Sequence, residues 1–88
     1  MIDVKILGFH SAQRYAVRQT VVAAQRVLKT EYPDLQIVIS ELKDWTRIEK
    51  YTYVLSAPSL VVNEKLVCVG RLPSKQEVCD WMRSSKEE

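Results

Sequence analysis

Val4-Lys5-Ile6-Leu7 is a short, β-branched-rich apolar run closed by Gly8, and a long stretch of helical spacing opens behind it at Ser11. From residue 11 to about 30 the apolar positions Val17, Val21, Ala24 and Leu28 recur at four, three and four residues. That is one stripe of a helix, and Pro33 ends it. Ala12, Ala16 and Ala23 fall on an adjoining face whose small side chains admit a second helix, with Arg14, Arg18 and Lys29 on the opposite flank. Residues 35–40, Leu-Gln-Ile-Val-Ile-Ser, read as a second buried-type strand. Asp44 then caps a short helix that would turn Trp45, Ile48 and Tyr51 inward, while Tyr51-Thr52-Tyr53-Val54-Leu55 has strand composition and argues for an early stop. Residues 59–62 and 66–69 flank Asn63-Glu64-Lys65, a spacing that predicts an antiparallel hairpin with Asn at a turn position. Ser74-Lys75-Gln76-Glu77 matches the Ser-x-x-Glu capping box, and Val78, Trp81 and Met82 at i, i+3 and i+4 predict a last amphipathic helix from Ser74. The charged residues 84–88 are expected to fray, leaving 1–83 as one domain.

The order is therefore βαβαββα: an α/β domain with a four-stranded mixed sheet and helices on both faces, its first two strands parallel and its last two antiparallel. Eighty-eight residues at 47% hydrophobic and 27% charged are enough for one folded core and exclude a disordered chain. So short a chain removes only about 60–65% of its unfolded surface from water, which leaves room for a further stabiliser such as oligomerisation, a metal or a disulfide. The longest apolar runs, Val21-Val22-Ala23-Ala24 and Leu66-Val67-Cys68-Val69, are far below the roughly 20 residues of a membrane helix. Met-Ile-Asp-Val-Lys lacks the basic-then-apolar pattern of a secretory signal, so the expected location is cytoplasmic, with both cysteines as free thiols. A net charge of +2 is too small to imply nucleic acid, and no membrane partner is expected.

Directly before the hairpin stands an X-Pro step, Ser56-Ala57-Pro58-Ser59-Leu60-Val61-Val62. With the element order, it resembles the thioredoxin fold. Val4-Lys5-Ile6-Leu7-Gly8 and Gly70-Arg71-Leu72-Pro73-Ser74-Lys75-Gln76-Glu77-Val78 resemble, more narrowly, the small thioredoxin-like proteins of archaea and bacteria called redox-active disulfide proteins. The resemblance covers nearly the whole chain. It implies a Gly-x-x-Cys-x-x-Cys segment between the first strand and first helix, where the helix N-terminus lowers the first thiol's pKa. Here that segment reads Gly8-Phe9-His10-Ser11-Ala12-Gln13-Arg14, with Ser11 at the first cysteine position and Arg14 at the second. A serine hydroxyl does not ionise near neutral pH and an arginine cannot resolve a mixed disulfide, so thiol–disulfide oxidoreductase activity is not expected. The resemblance also implies a cis Ala57–Pro58 bond facing this segment, with the backbone before it open to strand addition by an extended peptide. Thr52 stands where relatives have a helix-ending glycine, and Asn63-Glu64 where they have Asn-Gly.

The expected function is a non-catalytic interaction or regulatory module that binds a protein segment, or a second copy of itself as a homodimer, through a groove at Phe9, His10, Ser11, Arg14, Ala57 and Pro58. The alternative is a small-thiol, glutathione-like binding protein or enzyme using Ser11 at the helix N-terminus, with Ser74 as a second patch. Ser11 also reads simply as an N-cap. His10, the only histidine, is an acid–base candidate, but no third group is identifiable to orient it, and its plainer reading is a loop residue. Cys68 and Cys79 are eleven residues apart, neither a redox pair nor a metal-ligand spacing, and read as inert thiols, with a strand-to-helix disulfide or one modifiable thiol as the sharper alternative. No metal or cofactor is expected. Arg14, Arg18, Arg26 and Lys29 make the first helix basic with no acid before Glu31, as a solvated face or as a contact for phosphate or an acidic partner. Tyr15 and Val22 on the same outward side hint at a protein interface, whereas no interleaved aromatic platform suits single-stranded nucleic acid.

Overall fold

Alternation in the first strand sends Ile2, Val4 and Ile6 to one side of a sheet and Asp3, Lys5 and Leu7 to the other. In the computed structural model, which describes residues 1–52 and 58–86, this strand is β1 (Ile2–Leu7). It is followed by α1 (Ser11–Glu31), β2 (Ile37–Leu42), α2 (Trp45–Ile48), β3 (Ser59–Val62), β4 (Lys65–Val69) and α3 (Lys75–Ser85). The sheet order is β2-β1-β3-β4, with β1 parallel to β2 and antiparallel to β3, and β3 antiparallel to β4. The predicted βαβαββα order and mixed four-stranded sheet are the observed ones.

Both long helices cover one face. Val17, Val21, Ala24 and Leu28 of α1 and Val78, Cys79 and Met82 of α3 pack with Ile2, Val4, Ile6, Leu60, Val62 and Cys68. The other face carries a smaller cluster in which Ile48 of α2 and Tyr51 meet Leu7, Leu42 and Val61. Helices thus lie on both faces, unequally. Among the described residues no helix is long and apolar enough to cross a membrane.

Several boundaries differ from the sequence pattern, each for a local reason. β2 begins at Ile37, two residues late, because the Leu35 N–H closes a turn on the Tyr32 carbonyl at 3.0 Å and Lys29 Nζ holds the Leu35 carbonyl at 2.8 Å. Trp45 is not turned inward: it is 39% exposed, and α2 buries only Ile48. Asp44 occupies the N-cap with extended backbone, but its carboxylate makes no capping bond and instead lies 3.8 Å from Arg47. The hairpin loop is two residues long, so β4 starts at Lys65. α3 continues through Ser85, into the segment expected to fray, because Ser85 is buried and its carbonyl accepts from Asn63 Nδ2 at 3.2 Å.

Candidate functional site

β1 ends where the Gly8 N–H donates to the Leu42 carbonyl at 3.1 Å, delivering the chain to the start of α1 at the C-terminal end of two parallel strands. Gly8 is buried. A Cβ added there would lie 3.5 Å from Arg14 Cγ and 4.0 Å from Pro58 Cα, so Gly8, Arg14 and Pro58 are packed together. The expected Ser11 cap is not formed. His10 is the N-cap, extended at φ −99° and ψ 123°, and its carbonyl accepts the Arg14 N–H at 3.1 Å while its ring makes no capping bond. Ser11 is therefore the first residue of the helix, and Phe9, His10 and Ser11 are all exposed.

Arg14 behaves differently from its neighbours. Its side chain is only 12% exposed, Nη1 donates to the Gly8 carbonyl at 2.9 Å, and Nε donates to Glu41 Oε1 at 3.0 Å. The guanidinium ties the loop to β2 with charge-assisted bonds. Arg18 lies 3.5 Å from the second Glu41 oxygen. Glu41 had escaped the sequence reading, yet a signal existed. It follows Ile37 and Ile39 on the helix-facing row of β2, opposite Ile6, where a carboxylate needs a cationic partner.

Of the remaining candidates, Pro58 is buried and its carbonyl accepts the Gly70 N–H at 3.1 Å, which ties the β3 entrance to the end of β4. Ala57 lies outside the described residues, and with it the isomer of the Ala57–Pro58 bond. Beside Pro58, Ser59 Oγ is buried without a hydrogen-bond partner among the described residues. Ser74 does not join this group as an anion patch: its Oγ accepts the Glu77 N–H at 3.1 Å, completing the predicted capping box with the Glu77 carboxylate. Next to it the Arg71 guanidinium grips both Glu77 oxygens, at 2.8 and 2.6 Å, and together with the capping bond holds the Glu77 carboxyl down at about 2.

Cys68 and Cys79 are free, buried members of the main core. Burial pushes the Cys68 thiol up, and its Sγ donates weakly to the Arg71 carbonyl at 3.4 Å. Neither stands at the start of α1, and the chain has no Cys-x-x-Cys pair with which to exchange disulfides. Among the described residues no three His, Cys, Asp or Glu side chains gather into a metal site.

No curated protein matches the sequence. A family profile described as a thioredoxin domain matches residues 2–83, in agreement with the strand order and the packed Gly8–Pro58 contact, and the chain belongs to that family.

Proposed function

We propose that this chain is a non-catalytic, cytoplasmic thioredoxin-like module that engages an extended protein segment or a second copy of itself through the surface at Phe9, His10 and Ser11, beside Pro58. The observation that carries this reading is the position of Arg14, which occupies the second sulfur position of the exchange motif with its guanidinium bonded to Gly8 and Glu41. An arginine so engaged stiffens the loop that the family uses for chemistry, while the residues in front of it stay exposed. Phe9, 39% exposed between buried Gly8 and exposed His10, supplies an apolar anchor.

Sedimentation velocity from micromolar to millimolar protein, with Phe9→Asp as the control, tests the second-copy form, which requires a dimer that the substitution abolishes. Photo-crosslinking through Phe9→benzoylphenylalanine tests the segment form. A millimolar monomer that also yields no crosslinked peptide from position 9 overturns the reading.

The second reading is a small-thiol binder, favoured by an exposed Ser11 in the first turn of a 21-residue helix that has no acid in that turn. Calorimetry with glutathione decides it: saturable heat lost in Ser11→Ala supports a ligand at this helix end, and no heat at millimolar glutathione removes it. Insulin reduction is silent under both.

A further inference from the structure

On the side of α1 away from the sheet lies a shallow depression lined by Tyr15, Arg18, Gln19, Val22, Ala23 and Arg26. We propose that it docks an acidic, amphipathic helical segment of a partner protein, on a surface separate from the one beside Pro58.

Charge is the first support. Four of the six arginines are matched to acids: Arg14 to Glu41, Arg47 to Asp44, Arg71 to Glu77, and Arg83 to Glu31 and Asp80. The other two line this depression. Arg26 has no carboxylate within ion-pair distance among the described residues, and Arg18, its side chain 40% exposed, shares Glu41 with Arg14 through an Nη1 contact of 3.5 Å. No acid occurs in α1 before Glu31, so the helix itself supplies no carboxylate to either guanidinium, and among the described residues Arg18 has only the Glu41 it shares with Arg14.

Shape supplies the second. Between the cations the floor is apolar, Val22 and Ala23, and at one end stands Tyr15, 63% exposed. Its hydroxyl accepts from Gln19 Nε2 at 3.0 Å, one helical turn on, which holds the ring in place on the surface. A fixed aromatic beside an apolar floor loses little conformational entropy on binding and is the usual anchor of a protein interface.

The occupant follows from these two. Arg18 and Arg26 are eight residues apart, about 12 Å along the helix at roughly 1.5 Å per residue. A partner helix with carboxylates seven or eight positions apart and leucines between them matches both cations and covers Val22 and Tyr15. A second copy of this chain does not, because a twofold contact through this face sets arginine against arginine. Single-stranded nucleic acid matches poorly, since one tyrosine offers no run of stacking platforms.

The test uses the full chain and a synthetic helical peptide with glutamates seven residues apart and leucines between, alongside its Glu→Gln counterpart. Amide shifts in the ¹⁵N spectrum should concentrate at Tyr15, Gln19, Val22 and Arg26. Affinity should fall about tenfold or more in Arg26→Glu, in Tyr15→Ser and with the Glu→Gln peptide, while Phe9→Asp leaves it unchanged. Circular dichroism checks that each variant stays folded. Shifts elsewhere, affinity indifferent to Arg26→Glu, or tighter binding of an oligothymidine or of anionic vesicles at equal ionic strength would overturn the proposal.

Discussion

At the hairpin end of the sheet, side chains tie three elements together, whereas at the α1 end three consecutive side chains face solvent and Arg14 is the side chain that ties the loop to β2. In the hairpin turn Asn63 (φ 48°) and Glu64 (φ 68°) both take the left-handed conformation of a tight two-residue loop. Asn63 exchanges two bonds with Asp3, its N–H donating to the Asp3 carbonyl and its Oδ1 accepting the Asp3 N–H, both at 2.8 Å, and its amide also reaches Ser85. One side chain thereby joins β1, the hairpin and the end of α3. Glu64 accepts from both Lys5 and Tyr51, and Lys5 also pairs with Asp3, which raises the Lys5 pKa and lowers that of Glu64. At the other end Phe9, His10 and Ser11 are exposed in front of Gly8 and Pro58. Polar ties are concentrated at the hairpin end, and exposed side chains at the end where the family's exchange motif would lie.

The sharpest way to break this comparison is Asn63→Ala. It removes both side-chain bonds, leaves the part-buried Asp3 N–H without its acceptor and puts a Cβ-bearing residue with no compensating amide at a positive φ. The expected loss is about 2–4 kcal/mol in urea unfolding, with α3 and the hairpin loosening together in amide exchange. A loss below about 0.5 kcal/mol, the size of an ordinary surface substitution, would mean the hairpin end is not a latch.

Arg14→Met should cost less, about 1–2 kcal/mol, because methionine keeps most of the buried stem while the bonds to Gly8 and Glu41 go. The distinguishing readout is location. Exchange should accelerate at the Gly8 N–H and in the first turn of α1 while the Asn63 N–H is unchanged. Uniform acceleration would show Arg14 to be a general stabiliser and not the holder of this loop.

A third handle is acid. Glu77 sits beside the β4–α3 turn that Pro58 grips through Gly70, and its carboxyl is lowered from the ordinary 4.5 to about 2 by Arg71 and the Ser74 cap. A carboxyl depressed on folding contributes stability that is complete above the unfolded pKa and lost as pH falls through the folded one. This contribution should therefore fade between pH 4.5 and about 2. Glu77→Gln should flatten that part of the acid limb in thermal melts taken against pH. An unaltered limb would assign the acid sensitivity to other carboxylates, such as Glu31 and Glu64, which Arg83 and Lys5 also hold low.

What was legible in the sequence was whatever depends on neighbours in the chain. The spacing of Val17, Val21, Ala24 and Leu28 is the buried face of α1, and Ser74 with Glu77 is a real capping box, because both patterns close within a turn or two of helix. Failures begin where a distant partner decides. Ser11 looked like a cap, yet the cap falls on His10, in a loop where Gly8 is held between Leu42, Arg14 and Pro58. Trp45 shared a helical face with Ile48, but a four-residue helix over a small cluster buries only one of them. Arg14 read as part of a basic flank. Its role became visible only when strand register put Glu41 across from Ile6, on the helix-facing side of β2. The Asn63-Glu64 turn was legible as a turn, and its two positive φ values belong to the tight loop, but the bonds of Glu64 to Lys5 and Tyr51 are long-range and were not.

The smallest expected effect sharpens the comparison by removing a third possibility, that a disulfide ties the molecule between its two ends. Cys68 on β4 and Cys79 on α3 lie on packed elements of one cluster, each 3% exposed, and both are free. Thiolate, not thiol, attacks a disulfide, and burial raises the Cys68 pKa, so its reactive form is scarce in the folded protein. Dithiothreitol should leave the melting temperature unchanged. Dithionitrobenzoate should then modify both thiols only at the rate of opening, accelerating in Asn63→Ala, where α3 is released from the hairpin, and much less in Arg14→Met. Rapid labelling of the native protein at one cysteine would place that thiol at an accessible surface and show that the main core opens without either end of the sheet giving way.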